Sequence, residues 1–422
     1  MTCKSFVQQE PNAVKPRDMS QKPLNITSVP GEGDTVTVYS VNGKKSVKLL
    51  KRIGSGGEGA VYDIGDELVC KIYAPEKLTT NRAEKILWMC RRESPSKGLC
   101  WPESIVLDGA GLFIGYTMKK AKGVSLFNLI ASPEDLTAIH PTWKRSNLYG
   151  LAASVAKIVS ELHKRDVFIG DINDNNIIIS DEGRVFFVDT DSFQFEDFPS
   201  PVGTPEFLSA RLQEQDLSKT LRTKEDELFS LAVMIFMILM FHQGPFACRN
   251  GASPEENILN GNFPYGGNGK KETGVPFGPW KKMYQNMTGL LKKTFNDCFT
   301  KGTFATADKW YQLLSSAKYA SEKNFVSNEL VPTGYKTPRP EDAVELKCSM
   351  CEKRFKMKKE MWQKLETRGL QPICDFCYEE EAYICEECGE IFTLHHYEAE
   401  KLARKGARFL CPRCRSRLAQ SA

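Results

Sequence analysis

The stretch Gly170-Asp171-Ile172-Asn173-Asp174-Asn175-Asn176, followed by Val188-Asp189-Thr190-Asp191, decides the fold of this 422-residue chain. It places an aspartate at 171, an asparagine at 176 and a second aspartate at 189, each flanked by apolar sequence. Carboxylate and amide oxygens are the ligands that Mg²⁺ prefers, and a carboxylate can also accept the proton of a hydroxyl. The spacing therefore predicts one catalytic carboxylate beside a two-residue metal site.

Two motifs upstream of this stretch predict a phosphate-binding half. Gly54-Ser55-Gly56-Gly57-Glu58-Gly59-Ala60-Val61 is a glycine-rich turn, whose backbone N–H groups can approach phosphate oxygens closely. Val69-Cys70-Lys71-Ile72 places a lysine on the next predicted strand. Each part alone has a structural interpretation as well, since a buried Asp–Asn pair often only caps a turn. Together, the parts follow one another along the chain in the order of the motifs that enzymes use for phosphoryl transfer from ATP.

These motifs resemble the eukaryotic-like protein kinase superfamily over residues 45 to about 315. A narrower similarity is to bacterial kinase-like proteins of stress and tellurite-resistance gene clusters. It is carried by Trp101-Pro102, Gly115-Tyr116-Thr117-Met118, Gly170-Asp171-Ile172-Asn173, Leu228-Phe229-Ser230-Leu231-Ala232-Val233 and Gly244-Pro245-Phe246. The resemblance implies an α+β, bilobal protein-kinase-like fold, with an antiparallel β N-lobe and a helical C-lobe.

The resemblance also implies a role for each matching residue in an ATP-dependent Ser/Thr protein kinase. Lys71 would bind the α- and β-phosphates, held by an ion pair with Glu84 in the middle of the following predicted helix. Asp171 would accept the proton of a protein hydroxyl, and Asn176 and Asp189 would coordinate Mg²⁺ or Mn²⁺. The nucleotide itself would contact Gly54, Gly56, Gly59, Val61, Lys71, Met118, Lys119 and Ala121.

Several positions near the catalytic aspartate depart from the family pattern. Ile169-Gly170 replaces His-Arg, so the resemblance predicts activity without phosphorylation of the activation loop. Asn173 replaces a lysine, and such an electrostatic stabiliser is typically worth ~3 kcal/mol, on the order of a hundredfold in rate. Thr190-Asp191 replaces Phe-Gly, which leaves Asp191 as either a metal ligand or a solvated carboxylate.

Further along, the segments that brace the C-lobe also differ. Gly203-Thr204-Pro205-Glu206-Phe207 matches the peptide-positioning loop and favours a protein substrate over a small molecule. Ala210-Arg211 lacks the Pro-Glu that normally braces the lobe by an ion pair. Glu227 stands where an aspartate usually ties down the catalytic loop, with adjacent Asp226 as the alternative. These departures keep a rival to the enzyme open, namely a nucleotide-binding pseudokinase that acts as a scaffold or switch.

Local patterns divide the chain into five segments. Polar, proline-containing residues 1–33 predict a disordered lead-in, and residues 34–316 a protein-kinase-like domain. Residues 317–346, with few large apolar side chains, predict a linker. Residues 347–378 and 383–416 predict two small zinc-ribbon modules. Within the second segment, strands are predicted at 35–39, 46–50, 69–72, 112–118, 177–179 and 185–188, and helices at 77–90, 147–163 and from 225 onwards.

Eight of the 14 cysteines lie after residue 347, all in Cys-x-x-Cys pairs. The pairs at 348/351 and 374/377 are separated by 22 residues, as are those at 385/388 and 411/414. A shift of 37 residues lays Phe355 on Phe392 and Gly369 on Gly406, which indicates an internal repeat. Each copy has too few apolar residues to fold unaided. Two tetrahedral Zn²⁺ sites are therefore predicted, one of Cys348, Cys351, Cys374 and Cys377 and one of Cys385, Cys388, Cys411 and Cys414. Sequential pairing is favoured, with a cross-brace between copies as the alternative.

The ribbons are predicted to recruit an unidentified protein substrate or partner. Basic residues cluster around the second site: Lys401, Arg404, Lys405, Arg408, Arg413, Arg415 and Arg417. Nucleic acid is not the favoured partner of this cluster, because no aromatic platform accompanies it.

Composition narrows the location of the protein. The net charge of +4 is small for this length, and the longest uncharged apolar run, residues 228–241, would rise only about 21 Å as a helix. That is too short for a bilayer, so no membrane partner is expected. Six cysteines scattered through the first 300 residues suit a reducing compartment, and we expect a cytoplasmic location.

Overall fold

The structure is a computed structural model. It describes residues 15–19, 23–26, 28–40, 43–266, 274–332, 343–350, 352, 354–367, 369, 371–373, 377, 380–395, 398–399, 401–402 and 405–420. The chain divides into two compact units at residue 333.

A seven-stranded antiparallel sheet begins the first unit. Its strands are β1 (Thr35–Ser40), β2 (Gly43–Lys48), β3 (Arg52–Gly56), β4 (Gly59–Gly65), β5 (Leu68–Tyr73), β6 (Ser104–Leu107) and β7 (Phe113–Lys119). They lie in the order β2-β1-β6-β7-β5-β4-β3, so β5 is an interior strand between β4 and β7. The dipeptide Asn42-Gly43 predicts a hairpin turn between the first two strands, and residues 41–42 lie outside the described residues. Ser40 pairs with Gly43, as a two-residue hairpin requires.

Helix α1 (Thr80–Cys90) follows β5 and a short 3₁₀ turn, Pro75–Lys77. The Thr79 side chain accepts a hydrogen bond from the Arg82 backbone N–H and so caps the helix. The helix therefore begins at Thr80, three residues after the predicted start at Lys77. One face of α1 is buried against the sheet and the segment that follows Asp189. Its buried residues are Asn81, Lys85, Ile86 and Met89.

Part of the predicted lead-in is ordered against the first unit. The Arg17 backbone N–H donates to the Asp197 carbonyl at 2.7 Å, and Met19 is buried. The Leu24 N–H donates to the Leu78 carbonyl at 2.9 Å. The prediction of a disordered segment is therefore corrected for residues 15–19 and 23–26, because their backbone groups and the side chains of Met19, Leu24 and Ile26 find partners in the domain.

The rest of the first unit is mainly helical, as predicted for the C-lobe. Its elements are β8 (Val124–Ser125), α2 (Leu126–Leu129), α3 (Pro133–Ile139), α4 (Arg145–His163), β9 (Ile177–Ile179), β10 (Val185–Phe187), α5 (Lys224–Leu239), α6 (Pro254–Leu259), α7 (Trp280–Gln285), α8 (Gly289–Lys301) and α9 (Ala307–Glu322). Every α5 residue from Asp226 to Leu239 is buried, so the apolar run is a core helix. Within the described ranges, no helix has both the length and the apolar content that a bilayer crossing needs.

The first unit extends beyond the predicted boundary at residue 316. Helix α9 continues to Glu322 and packs along α4. The Arg145 N–H then donates to the Asn328 carbonyl at 3.1 Å, and Leu330 and Val331 pack against the core. The linker predicted to begin at Ala317 therefore starts later, because Ala317 itself is a buried residue of α9.

The second unit contains two similar hairpins. They are formed by β11 (Ala343–Lys347) with β12 (Arg354–Lys358), followed by α10 (Lys359–Glu366), and by β13 (Glu380–Ile384) with β14 (Ile391–His395); helix α11 (Pro412–Gln420) ends the unit. The pair Lys347 and Arg354 closes the first hairpin, and Ile384 and Ile391 close the second. The two closing pairs are 37 residues apart, which confirms the predicted repeat.

Candidate functional site

The glycine-rich turn is the hairpin between β3 and β4. Gly54 pairs with Val61 and Gly56 with Gly59. A Cβ at Gly59 would lie 2.1 Å from the Ile72 carbonyl oxygen, so only glycine fits beside β5. By contrast, a Cβ at Gly54 or Gly56 would meet nothing within 4 Å. These two positions therefore present open backbone on which a ligand can lie.

Lys71 points from β5 into a cluster of carboxylates and is buried. Its Nζ lies 2.9 Å from Asp191 Oδ1, 3.3 Å from Asp189 Oδ1 and 3.4 Å from Glu58 Oε2. Burial opposes the charge, but the Asp191, Asp189 and Glu58 carboxylates together raise the pKa of Lys71 above its ordinary value. The lysine is thus a fully charged ammonium at neutral pH.

The predicted ion pair between Lys71 and Glu84 is wrong in this structure. Glu84 is exposed, and its carboxylate receives Arg17 Nη1 at 2.6 Å. The inner face of α1 instead presents Arg82, which lies 3.1 Å from Glu58 and 3.7 Å from Asp191. The physical reason is helix phase: Glu84 precedes buried Ile86 by two residues, about 200° around the helix, and so faces away from the sheet.

Asp191 is the residue of this cluster whose contacts the sequence did not predict. Its side chain is 1% exposed, so it is not the solvated carboxylate considered above. It accepts hydrogen bonds from Tyr73 Oη at 2.7 Å and Tyr116 Oη at 2.8 Å, besides the contacts to Lys71. A signal for it existed: Tyr73 follows Lys71 by two residues on β5, and Tyr116 pairs with Lys71 across the sheet. Three donors on one buried face need an acceptor.

Asp171 lies on the loop between α4 and β9, surrounded by neutral donors. Asn173 Nδ2 and Asn176 Nδ2 donate to Asp171 Oδ2 at 2.8 and 3.2 Å. Thr204 Oγ1, from the predicted peptide-positioning loop, donates to Asp171 Oδ1 at 3.1 Å. Asn173, which replaces the family's lysine, caps this turn and orients the carboxylate without supplying a charge.

Asp189 sits beside the Asp171 loop, at the end of β10. The Val188 N–H donates to the Asn176 carbonyl at 2.9 Å, which joins the segments carrying the two predicted metal ligands. Asp189 adopts a left-handed backbone conformation, φ 54°, and its side chain is 47% exposed. Burial first, and then the nearby Asp191 and Glu58 carboxylates, raise the pKa of Asp189, with Lys71 opposing. A site of this kind is short of positive charge, which fits a divalent cation.

The other residues predicted to contact the nucleotide lie on or just after strands β4 and β7. Met118 is buried on β7 opposite Val69, while Val61 on β4 and Ala121 are half-buried. Lys119 is exposed at the end of β7. The next residue donates its backbone N–H to the Glu67 carbonyl at 2.8 Å, which fixes the course of the chain between the lobes. Adenine binding by these groups remains a prediction.

The guanidinium of Arg222 lies beside Gly170, the position at which the family pattern has an arginine. Arg222 Nη1 donates to the Gly170 carbonyl and Arg222 Nη2 to the Val202 carbonyl. The Arg222 backbone is fixed by Gln194, whose side chain exchanges two hydrogen bonds with it at 2.8 and 2.9 Å. Arg222 therefore ties the Asp171 loop to Val202, the residue before the predicted peptide-positioning loop, through charge-assisted hydrogen bonds.

Two carboxylates at the start of α5 brace the same region. Glu227 is buried and accepts the backbone N–H groups of Ile169 and Gly170 at 2.9 and 2.8 Å. Of the two predicted candidates, Glu227 thus ties down the catalytic loop. Asp226 instead caps α5 and forms an ion pair with Arg211. Because of this pair, the lobe is braced although the family's Pro-Glu is missing.

The second unit brings one complete cysteine set together. The Sγ atoms of Cys385, Cys388, Cys411 and Cys414 all lie within 4.8 Å of one another. Although burial opposes it, backbone N–H groups of Cys411, Cys388 and Glu387 lower the pKa of the Cys385 thiol to about 6. A hydrogen bond that the Cys414 thiol donates to Cys388, followed by burial, raises the pKa of Cys414 to about 12. The cluster fits a tetrahedral cation that would bind all four sulfurs as thiolates, and it unites residues of one copy only.

The first copy is described in part. Cys348 and Cys377 are buried together with Phe355 and Ile373 packed against them. The equivalent residues of the second copy, Phe392 and Leu410, pack against its cysteines in the same way. Cys351 and Cys374 lie outside the described residues, so their contribution to a first metal site remains a prediction.

The basic cluster around the second site is partly neutralised. Arg408 Nη2 lies 2.8 Å from Glu387, and Arg417 Nη2 lies 3.6 Å from the same carboxylate. Arg404 lies outside the described residues. A cluster with internal acidic partners offers less positive potential to a polyanion than the sequence alone indicates.

No family model matches the chain. The chain is similar to "Protein kinase YegI" of Escherichia coli O157:H7, with 26% identity over 325 residues, which cover 72% of this chain and 50% of that protein. Its similarity to "Protein kinase YegI" of Escherichia coli strain K12 is 26% over 313 residues, covering 69% and 48%. A "Calcium and calcium/calmodulin-dependent serine/threonine-protein kinase" of Lotus japonicus is 20% identical over 234 residues, covering 52% and 42%. The chain spans about half the length of the curated relatives it matches. These similarities bear out the protein-kinase-like fold and the resemblance to bacterial protein kinases.

Proposed function

We propose that this protein-kinase-like chain transfers the γ-phosphoryl group of ATP to a serine or threonine hydroxyl of a protein substrate. The observation that carries the proposal is a chain of direct contacts between residues far apart in sequence. Lys71 contacts Asp189 at 3.3 Å, the segment of Asp189 is hydrogen bonded to Asn176, and Asn176 contacts Asp171 at 3.2 Å. These residue types, in contact, are what phosphoryl transfer needs.

Each group would have a distinct task in the reaction. The open backbone at Gly54 and Gly56 would cover the phosphates, and the Lys71 ammonium would bind the α- and β-phosphate oxygens. Asp171 would orient the acceptor hydroxyl and take its proton. Thr204 donates to the other oxygen of that carboxylate, so it would hold Asp171 in position beside the bound peptide.

A divalent cation, Mg²⁺ or Mn²⁺, would be held by Asp189 and by the amide oxygen of Asn176. Asn176 directs its amide nitrogen to Asp171, which leaves the oxygen for a cation. The cation would neutralise charge on the transferred phosphoryl group, a task to which Asn173 contributes no charge.

The test is incubation of the purified chain with γ-labelled ATP and Mg²⁺ or Mn²⁺. We expect autophosphorylation on serine or threonine, and Asp171→Asn should abolish it. Asp181→Asn is the matched control, because Asp181 is exposed on the turn between β9 and β10 and should leave the label unchanged. Equal labelling of the Asp171→Asn variant and the wild type would reject the assigned base.

A nucleotide-binding pseudokinase is the second candidate. One observation favours it: three carboxylates already surround Lys71, and one of them, Glu58, comes from the glycine-rich turn itself. Such a lysine could bind nucleotide as a switch without efficient transfer. ATP binding without any labelled product, with both Mg²⁺ and Mn²⁺, would select this candidate over the enzyme.

For the second unit we propose two structural Zn²⁺ sites in modules that recruit a protein substrate or partner. The gathered thiols of Cys385, Cys388, Cys411 and Cys414 support one site, and the repeat supports the other. The free thiols of Cys70, Cys90, Cys100, Cys248 and Cys298 support a reducing, cytoplasmic location.

A further inference from the structure

The lysine of the proposed nucleotide site needs a permanent counter-charge, and helix α1 does not provide one. Lys71 is 4% exposed, and an unpaired ammonium at such a depth is strongly unfavourable. On the face of α1 that meets the sheet, the ionisable groups are Arg82 and Lys85, both of them bases that cannot supply a negative charge. The acidic residue of that helix, Glu84, pairs with Arg17 at the surface.

Asp191 has the geometry of a fixed anchor. Lys71 Nζ lies 2.9 and 3.1 Å from its two oxygens, and the Tyr73 and Tyr116 hydroxyls each donate to one oxygen. The turn that carries Asp191 is itself held, because Thr190 Oγ1 donates to the Cys100 carbonyl at 2.9 Å. A carboxylate with this many donors has little freedom to leave the lysine.

The other two carboxylates near Lys71 differ from Asp191 in exposure. The side chain of Asp189 is 47% exposed and that of Glu58 is 28% exposed, against 1% for Asp191. Their distances to Nζ, 3.3 and 3.4 Å, are also longer. Asp189 and Glu58 can therefore give up the lysine to a cation and to phosphate oxygens, whereas Asp191 cannot be replaced by solvent or ligand.

We propose that Asp191 is the positioning residue of Lys71 and takes the place of the helix carboxylate that kinases use. This inference rests on the proposed function, because it assigns how the phosphate-binding lysine of that site is held. A consequence is that the lysine is aimed from the segment after Asp189 and not from α1. The position of α1 then has no direct control over the Lys71 ammonium.

The test compares Asp191→Asn with Glu84→Gln, two variants that each neutralise one carboxylate. The first readout is acylation of Lys71 by acetic anhydride in nucleotide-free protein, followed by mass spectrometry as a function of pH. Loss of the Asp191 charge should lower the pKa of the Lys71 ammonium, because a counter-charge favours the protonated form. We expect labelling of Lys71 at pH 8 to rise at least tenfold in Asp191→Asn and to stay unchanged in Glu84→Gln.

The second readout is nucleotide affinity. Asp191→Asn should weaken MgATP binding at least tenfold, and in an active enzyme it should raise the KM for ATP along with any fall in kcat. Unchanged labelling in Asp191→Asn, or an equal change in Glu84→Gln, would overturn the assignment. The labelling readout needs no turnover, so an inactive wild type would count against the proposed function alone.

Two further variants cover the case in which Asp191→Asn does not fold. Tyr73→Phe and Tyr116→Phe each remove one hydrogen bond to Asp191 and keep the buried ring. We expect each to weaken MgATP binding by about two- to fivefold, because the carboxylate that positions Lys71 keeps its charge but loses one of its fixed donors. If both variants bind MgATP as tightly as the wild type, the anchor role of Asp191 is wrong.

Discussion

Replacing Glu227 should loosen the catalytic loop without touching any group that would meet substrate. Its buried carboxylate accepts two backbone N–H groups, from Ile169 and Gly170, at 2.9 and 2.8 Å. Hydrogen bonds to a charged partner contribute roughly 1.5–3 kcal/mol each, so Glu227→Ala should cost about 3–6 kcal/mol of local stability. Glu227→Gln keeps the shape and one acceptor oxygen, and should cost about half as much.

The assay is hydrogen–deuterium exchange with mass spectrometry of peptides that contain residues 169–171. Since each 1.4 kcal/mol is a factor of ten, exchange of the Ile169 and Gly170 amides should accelerate by about 10²- to 10⁴-fold in Glu227→Ala. The control is Glu225→Gln, which removes an exposed charge from the same first turn of α5 and should leave these peptides unchanged. Wild-type exchange rates in Glu227→Ala would refute the inference that this carboxylate holds the loop.

Two other outcomes are expected. The chain should bind about two zinc ions, as measured by elemental analysis. Cys388→Ser should lower the zinc content by about one per chain, because it removes one of four gathered thiols, whereas the control Cys248→Ser, in the first unit, should not change it. Equal zinc content in the wild type and both variants would contradict the ribbon site. Burial lowers the pKa of Lys85 to about 7, with Arg82 and Lys71 adding to this and Asp191 and Glu58 opposing it. Between about pH 7 and 10 the unfolded chain therefore holds the extra proton, so this group makes stability rise with pH, by about 1.4 kcal/mol per unit. Lys85→Met should thus stabilise the first unit most at pH 7 and less at pH 9.5, as measured by urea unfolding with tryptophan fluorescence; a gain independent of pH would show that Lys85 is not neutralised by burial.

The order of the motifs was enough to predict the fold, and it selected residues that the structure brings together at the candidate site. The residues Lys71, Asp171, Asn176 and Asp189 carry local patterns, a strand lysine or a polar turn between apolar strands, that survive folding unchanged. The duplicated cysteine spacing predicted a repeat, and the structure shows the two copies as hairpins 37 residues apart. The repeat is only approximate in sequence: Glu352 of the first copy has a positive φ, 61°, at the position where the second copy has Gly389, with φ 74°.

The sequence did not predict which charged side chains contact Lys71 and the Asp171 loop. A position in the middle of the helix favours Glu84 as the partner of Lys71, but the helix buries Ile86 and Met89 and so turns Glu84 outward. The position of Asp191 beside Lys71 could not be predicted, because it depends on the left-handed backbone at Asp189, which turns the chain back toward β5. Arg222 lies 52 residues from Gly170 in sequence, so no local pattern connects them. Such contacts depend on tertiary structure, which spacing alone does not encode.

Gly170 limits the routes by which a sequence like this one can change. Its φ is 76°, and a Cβ there would lie 2.2 Å from Ser200 Oγ and 3.2 Å from Arg222 Nε. Restoring the arginine common in kinases by one replacement would collide with both side chains. Arginine at position 170 would also require a smaller residue at position 200 and another position for the Arg222 side chain, whose hydrogen bonds to the Gly170 and Val202 carbonyls would be lost. Positions 170, 200 and 222 therefore form a unit in which one residue cannot be replaced without the other two.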